Sequence, residues 1–125
     1  MRIKLVVAPL LIMLAPACNA QQPIPRLTNG QATKATRAEL GLDRAQVVLG
    51  TCKPALQPHT TGQTACTLLV ILGAGTSETQ ADFYWSGKEW VSTPSNSQSI
   101  LPFPDPALMN IHVDTKIDPN AGPIR

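Results

Sequence analysis

Residues 65–72 read ACTLLVIL, and they form the most apolar run of the chain beyond its N-terminal segment. The run is short, carries β-branched side chains at Val70 and Ile71, and ends at a glycine-rich stretch, residues 73–75. Short apolar runs with these features are typical of strands that are covered on both faces of a sheet. We therefore predict a central, largely buried strand here, against which the other elements pack.

Two further strands are predicted downstream of this run. Residues 79–85 and 88–93 are separated only by Ser86 and Gly87. Two residues of this type between strand-like runs are typical of a tight β-hairpin turn. We therefore expect an antiparallel pair of strands that begins at this turn.

The predicted hairpin concentrates the aromatic residues of the chain. Counting outward from the turn pairs Trp85 with Lys88 and Phe83 with Trp90, and alternation places these four side chains on one face. An aromatic face beside a lysine can bind a sugar, a peptide or a protein, so it is the candidate binding face. The competing hypothesis, which we favour for most of the face, is that these side chains form the core.

Upstream of the central strand, residues 33–49 are predicted to form two short helices separated at Gly41. Asp43 is a good N-cap for the second helix, and Gln46 stands three residues later, as in a capping box. Gly50 then follows as a C-terminal stop.

The chain as a whole divides into four parts. We expect a signal peptide over residues 1–20, an extended tether over 21–32, a single domain over 33–113 and a loose C-terminal tail over 114–125. Residues 108–113 could add one more strand. The expected fold class is α+β, with short N-terminal helices packed on a small antiparallel sheet of three to four strands and one disulfide.

The N-terminus has the order of a secretory signal. The basic residues Arg2 and Lys4 precede an apolar run of about eleven residues, and small residues follow up to Ala20. A membrane-spanning helix needs about twenty residues. We therefore expect cleavage, with no transmembrane span in the mature chain.

Cys18 leaves the outcome of that processing open. A signal peptidase would cut before Cys18 or before Gln21, whereas a lipoprotein pathway would attach lipid to Cys18. Membrane anchoring is expected only if Cys18 is lipidated. The predicted location is accordingly exported, meaning periplasmic, outer-membrane-associated or secreted.

Charge beyond residue 20 is balanced. That part of the chain holds eight basic and eight acidic residues with the signs interspersed, and the formal net charge of +2 comes from Arg2 and Lys4. Nucleic-acid-binding proteins carry a basic patch or stripe. We therefore expect no nucleic-acid partner.

Cys52 and Cys66 remain as an even pair once Cys18 is removed or lipidated, and we predict that they form a disulfide in an oxidising compartment. The bridge would close a loop of about fifteen residues and contribute roughly 3 kcal/mol. The alternative is a metal site that includes His59 and His112. Structural zinc sites usually supply ligands in close pairs such as Cys-x-x-Cys, and the chain has none, so we expect no metal.

The sequence offers little for catalysis. A Ser, Cys or Thr nucleophile needs an adjacent base, and only His59 and His112 are available. No serine lies in a Gly-x-Ser-x-Gly elbow. The glycine-containing residues 73–76 are too few to bind a phosphate and do not precede a predicted helix. We predict a protein that is not an enzyme, with no catalytic residues and no cofactor.

Residues 41–51, GLDRAQVVLGT, resemble the helix-start motif of small outer-membrane lipoproteins of the barrel-assembly type. The domain of that family is similar to that of β-lactamase inhibitor proteins, with helices packed on a small antiparallel sheet. Tyr84 and Trp85 before a turn are similar in order to the later strands of the family. The chain departs from the family in a shorter helix and in Cys52, where Pro is usual. The resemblance implies an α+β fold.

Together these observations predict a non-catalytic small domain of the bacterial envelope or the secreted fraction, which binds another protein or an envelope component. Two alternatives stay open. One is an inhibitor or immunity protein of a hydrolase, with the loop between Cys52 and Cys66 as the inhibitory element. The other is a structural lipoprotein of an outer-membrane complex, which requires lipidated Cys18.

Overall fold

The computed structural model describes Pro9 and residues 23–125 of the chain. The predicted signal peptide (Pro9 apart), the candidate lipidation site Cys18 and the first two tether residues lie outside the described residues. The described part contains one α-helix, four β-strands and two single-turn 3-10 helices. In chain order they are α1 (Asn29–Leu40), β1 (Gln46–Pro54), β2 (Thr64–Leu72), β3 (Gly75–Trp85), β4 (Trp90–Pro94) and the 3-10 turns Gln98–Ile100 and Pro106–Leu108.

The four strands form one antiparallel sheet in the order β1-β2-β3-β4, so each strand pairs with its neighbour along the chain. This confirms the predicted α+β class and the predicted central strand, which is β2 and is buried along most of its length. β2 and β3 are joined by a two-residue turn in which Gly73 has φ +60°. Glycine adopts this conformation without the penalty that a Cβ brings.

The predicted second helix is wrong, because residues 46–49 belong to β1. Val47 lies opposite Val70 in the neighbouring strand, and Leu49 lies opposite Leu68. A helix of about two turns has little stability of its own and depends on packing. As a strand the same residues bury side chains on both faces of the sheet and gain a ladder of backbone hydrogen bonds.

The helix α1 begins earlier than predicted, inside the stretch expected to be a tether. The Thr28 hydroxyl caps it by accepting a hydrogen bond from the Gln31 amide at 3.2 Å. The helix ends at Gly41, whose φ is +66° and whose amide donates to the Arg37 carbonyl. Its buried face is made of small side chains, which allow the helix to lie close to the sheet: Asn29, Ala32, Ala35 and Thr36.

The C-terminal part also differs from the prediction. Residues 108–113 contain no strand; Leu108 ends a 3-10 turn, and the residues after it are turns and irregular structure. Residues 114–125 are not loose, because Arg125 exchanges backbone hydrogen bonds with Gly50 and Cys52, each at 3.1 Å. The tail therefore lies along the outer edge of β1 and is held there by contacts distant in sequence.

The sheet is covered on both faces. On one face α1 packs over the larger hydrophobic cluster, whose members include Val47, Leu49, Leu68, Phe83 and Trp90. On the other face the C-terminal segment covers a smaller cluster composed of Val48, Leu69, Ile71 and Leu108, with Ile111 and Ile117 at its margin.

Candidate functional site

The hairpin between β3 and β4 has a different register from the one predicted. Trp85 lies opposite Trp90, not Lys88, so the loop has four residues. Ser86 explains the longer loop, because its Oγ accepts hydrogen bonds from the amides of Lys88 and Glu89 and donates to the Glu89 carbonyl. The shift is by two residues, so Phe83, Trp85 and Trp90 still share one face.

The aromatic residues of this hairpin lie mostly inside the protein. Phe83 is fully buried and Trp90 is 6% exposed, and both belong to the cluster under α1. Trp85 is partly buried and contacts Trp90 edge to face, with ring centroids 5.9 Å apart. Lys88 is exposed in the loop. The four residues of the candidate binding face are thus divided between the core and a surface loop.

The predicted disulfide is confirmed. Cys52 and Cys66 are directly opposite each other on β1 and β2, with Cα atoms 4.1 Å apart. The bond indicates an oxidising environment. The described residues contain no group of three or more His, Cys, Asp or Glu side chains arranged to hold a metal.

One buried carboxylate was missed by the sequence analysis. Asp105 is fully buried and accepts hydrogen bonds from the Thr67 hydroxyl, the Thr51 amide at 3.1 Å and the Ala107 amide at 2.9 Å. Burial raises the pKa of this carboxyl, but the hydrogen bonds from Thr67, Ala107 and Thr51 outweigh burial and lower the pKa below its ordinary value. The signal that could have revealed it is Asp followed by Pro, the N-cap and first residue of a helical turn.

Asp105 fastens the C-terminal segment to the sheet. The Asp105 carboxylate is hydrogen-bonded to Thr51 of β1 and to Thr67 of β2. Its amide donates to Glu78 Oε1 of β3 at 2.6 Å, so this one residue is hydrogen-bonded to three strands. Gly50 makes room for this contact, since a Cβ at that position would lie 2.8 Å from the Asp105 carboxylate. Gly50 is therefore a site of close approach within β1 and not the helix stop that the sequence suggested.

The most distinctive surface feature is a part of β3 that pairs with a neighbouring strand on one side only. β3 has eleven residues, but β4 pairs only with residues 81–85. The preceding residues 75–80, hereafter the open edge, pair with β2 on one side. On the other side, no backbone hydrogen bond joins residues 75–79 to another element within residues 23–125, and the last pair of the β3–β4 ladder, Ala81 with Pro94, brings the Ser95 amide to the Gln80 carbonyl.

The opposite edge of the sheet is treated differently. There the amides of Val47 and Leu49 donate to the side chains of Thr33 and Asn29, each at 2.9 Å, and the C-terminal tail covers the rest. Natural proteins commonly cover or shorten sheet edges to prevent unwanted pairing. This chain covers the β1 edge and leaves the open edge of β3 accessible within its described part.

A groove adjoins the open edge on the helix side of the sheet. It has a volume of about 460 Å³. Leu40 and Leu72 stand at its sides and are 50% and 44% exposed. Apolar side chains that are exposed together around one groove are a feature of binding surfaces. The residues that line this apolar groove are Leu40, Leu42, Val70, Leu72, Gly75, Thr76, Ser77 and Thr79.

No known protein family matches the chain, and no curated protein or solved structure is significantly similar to it. The stretch that resembles a lipoprotein helix start, residues 41–51, forms a turn and the first part of β1. None of the helices in the described part is long and apolar enough to cross a membrane.

Proposed function

We propose that this protein is an exported, non-catalytic domain of the bacterial envelope or secreted fraction, which binds an extended segment of another protein along the open edge of β3. The observation that carries the proposal is the backbone of residues 75–79, free on the side away from β2, beside the apolar groove. Addition of a strand to an exposed sheet edge is a recurrent mode of peptide recognition.

The direction of the backbone groups on the open edge follows from the sheet. The Leu49 amide donates to Asn29 Oδ1, so Leu49 points away from β2. In an antiparallel pair, the N–H and C=O groups of two opposite residues point either toward each other or both away. Leu68 therefore directs these groups away from Leu49 and toward β3, and Thr79, opposite Leu68, directs its own groups back toward β2. Directions alternate along the strand, so three residues direct their N–H and C=O groups outward: Thr76, Glu78 and Gln80.

These three residues offer up to five main-chain hydrogen bonds to an added strand, because the pairing of Ala81 with Pro94 engages the Gln80 carbonyl with the Ser95 amide. Each such bond contributes about 0.5–1.5 kcal/mol net of the bonds to water that it replaces. Hydrogen bonds of this kind are independent of the partner's sequence, and the adjoining groove supplies the selectivity for side chains.

A proline substitution tests the site directly. Thr76→Pro removes an outward donor and places a ring on the open edge while the bonds to β2 remain, so we expect folding close to wild type. Thr76→Val, which keeps the amide, is the matched control. The mature protein and both variants would be cross-linked to proteins of the producing cell's envelope and medium, followed by mass spectrometry.

We expect one partner to be recovered with the wild type and with Thr76→Val, but not with Thr76→Pro. Ser77→Pro provides a second control, because Ser77 points toward β2 and its loss from the ladder should lower the free energy of unfolding by about 1–3 kcal/mol. Recovery of the same partner with Thr76→Pro at wild-type yield would place the binding site elsewhere.

One observation favours the alternative of a hydrolase inhibitor. The exposed loop inside the disulfide, residues 56–62, is held by the buried Gln63, which accepts from the His59 amide at 2.9 Å and donates to Asp82 at 2.8 Å. An ordered exposed loop is what such an inhibitor needs. Partner recovery that is lost in Gln63→Ala and unaffected in Thr76→Pro would support this alternative.

A further inference from the structure

We propose that the segment bound at the open edge belongs to a different protein and alternates large apolar side chains with basic ones. This inference rests on the proposed function, because it describes the partner of the same site. An extended segment that pairs with β3 presents its side chains alternately to the two faces of the sheet. The side chains on one face of the sheet beside the open edge therefore determine which residue types suit every second position of the partner, and those on the other face determine the positions between.

The helix face requires apolar side chains. The residues of β3 that point to this face, Ser77 and Thr79, are small and leave the apolar groove unfilled. Leu40 and Leu72 remain about half exposed at its sides. A leucine-sized side chain from the partner would fill this space and remove both leucines from water, which is favourable in proportion to the apolar area buried.

The opposite face favours a basic side chain. Glu78 points to this face, and one of its oxygens accepts from the Asp105 amide. Within residues 23–125 the single ion pair joins Lys34 to Glu89, so no cation of the described part neutralises Glu78. The exposed ring of Phe103 lies with Glu78 around a depression of about 380 Å³. An arginine there would contact both a carboxylate and an aromatic ring.

A second copy of this chain does not fit these requirements. Pairing of two open edges would bring Ser77 and Thr79 to the groove face and Glu78 to the other face. The apolar groove would then stay unfilled, and the acidic face would gain no cation. The side-chain chemistry therefore favours a foreign segment over a homodimer.

The probe is the heptapeptide TLRLRLT with fluorescein on its N-terminus and an amide at its C-terminus, whose leucines and arginines face opposite sides when it is extended. Its binding to the mature protein would be measured by fluorescence anisotropy. Two control peptides have the same composition in blocks, TLLLRRT, and glutamate in place of arginine, TLELELT. A fourth peptide carries N-methyl groups on the alternate amides that would face β3, which removes the N–H groups that would donate to β3 and keeps every side chain.

We expect the alternating peptide to bind and the three control peptides to bind at least tenfold more weakly, which is about the effect of one or two lost hydrogen bonds or side-chain contacts. Glu78→Gln keeps an acceptor for the Asp105 amide and removes the charge, so it should weaken binding about fivefold at low salt. Leu72→Ser should weaken it about tenfold. Thr76→Pro should abolish it.

Equal binding of the alternating and block peptides, or unchanged binding in both Glu78→Gln and Leu72→Ser, would overturn this partner chemistry. So would sedimentation showing a dimer of the wild type that Thr76→Pro dissociates. If the peptide fails to bind while Thr76→Pro still abolishes recovery of the natural partner, the chemistry is wrong and the proposed function stands. If Thr76→Pro has no effect on that recovery, the proposed function itself is wrong.

Discussion

Truncation of Trp90 provides the sharpest test of how the hairpin contributes to the protein. Trp90 is 6% exposed, lies under α1 and contacts the ring of Trp85. Replacement of a buried Trp by Ala typically costs about 3–5 kcal/mol, because apolar contact is lost and a cavity remains. We expect Trp90→Ala to lower the free energy of unfolding by this amount.

The indole nitrogen of Trp90 lowers the stability of the folded protein, whereas the apolar ring raises it. Within the described residues this buried N–H has no hydrogen-bond partner, and an unsatisfied buried donor costs about 1–3 kcal/mol. Trp90→Phe keeps most of the apolar contact and removes the donor. We therefore expect the phenylalanine variant to be within about 1 kcal/mol of the wild type, although it has lost ring volume.

Urea unfolding followed by the fluorescence of the remaining Trp85 measures both effects. With a urea dependence of about 1.5 kcal/mol per molar for a domain of this size, Trp90→Ala should lower the midpoint by about 2–3 M. Phe103→Ala, at a side chain 67% exposed, is the surface control and should change stability by less than about 0.5 kcal/mol. Overlapping midpoints for wild type and Trp90→Ala would refute the core role of Trp90 and would make the hairpin a candidate binding surface again. A phenylalanine variant as unstable as the alanine variant would refute the argument about the indole nitrogen.

Three other predictions concern the disulfide, the buried carboxylate and the N-terminus. Alkylation of the denatured, non-reduced mature protein should find no free thiol at Cys52 or Cys66, and the double serine variant should be less stable by about 3 kcal/mol; two alkylated thiols would contradict the pairing. Because the folded-state pKa of Asp105 lies below its ordinary value of 3.8, its contribution to stability is complete above that pH and is lost as the pH falls through the folded pKa. Asp105→Asn should therefore flatten the acid limb of stability measured against pH, and an unchanged acid limb would show that other carboxylates dominate. The intact mass of protein purified from the envelope or medium should lack at least residues 1–17, and detection of Met1 would exclude cleavage of a signal peptide.

Several features could be predicted from local pattern, and the hairpin shows where such prediction ends. The apolar run of β2 and the shared face of Phe83, Trp85 and Trp90 depend only on composition and on alternation along a strand. The register depends on Ser86, whose hydroxyl closes a four-residue loop in place of the expected two-residue turn. Loop closure by a single hydroxyl carries no periodic signal, so the pairing partners could not be derived by counting.

The misassigned second helix illustrates tertiary context overriding a local signal. Asp43, Gln46 and Gly50 match the spacing of a capped helix, yet β1 begins at Gln46. A neighbouring strand can bury Val47 on one face and Val48 on the other, which a two-turn surface helix cannot do. Gly50 is required by the approach of Asp105, which is far away in sequence.

Composition, apolar runs and cysteine count were sufficient to predict the α+β class, the central strand and the disulfide. The first two depend on residues near one another, and the disulfide joins the two cysteines that remain once Cys18 is removed or lipidated. The coverage of the β1 edge by the C-terminal tail, the anchoring by Asp105 and the open edge of β3 were decided by tertiary structure. Each depends on which distant segments meet and on how far β4 extends beside β3. Residues 75–80 form a sheet edge because β4 pairs only with residues 81–85. The sequence of β3 alone does not show how far a neighbouring strand extends.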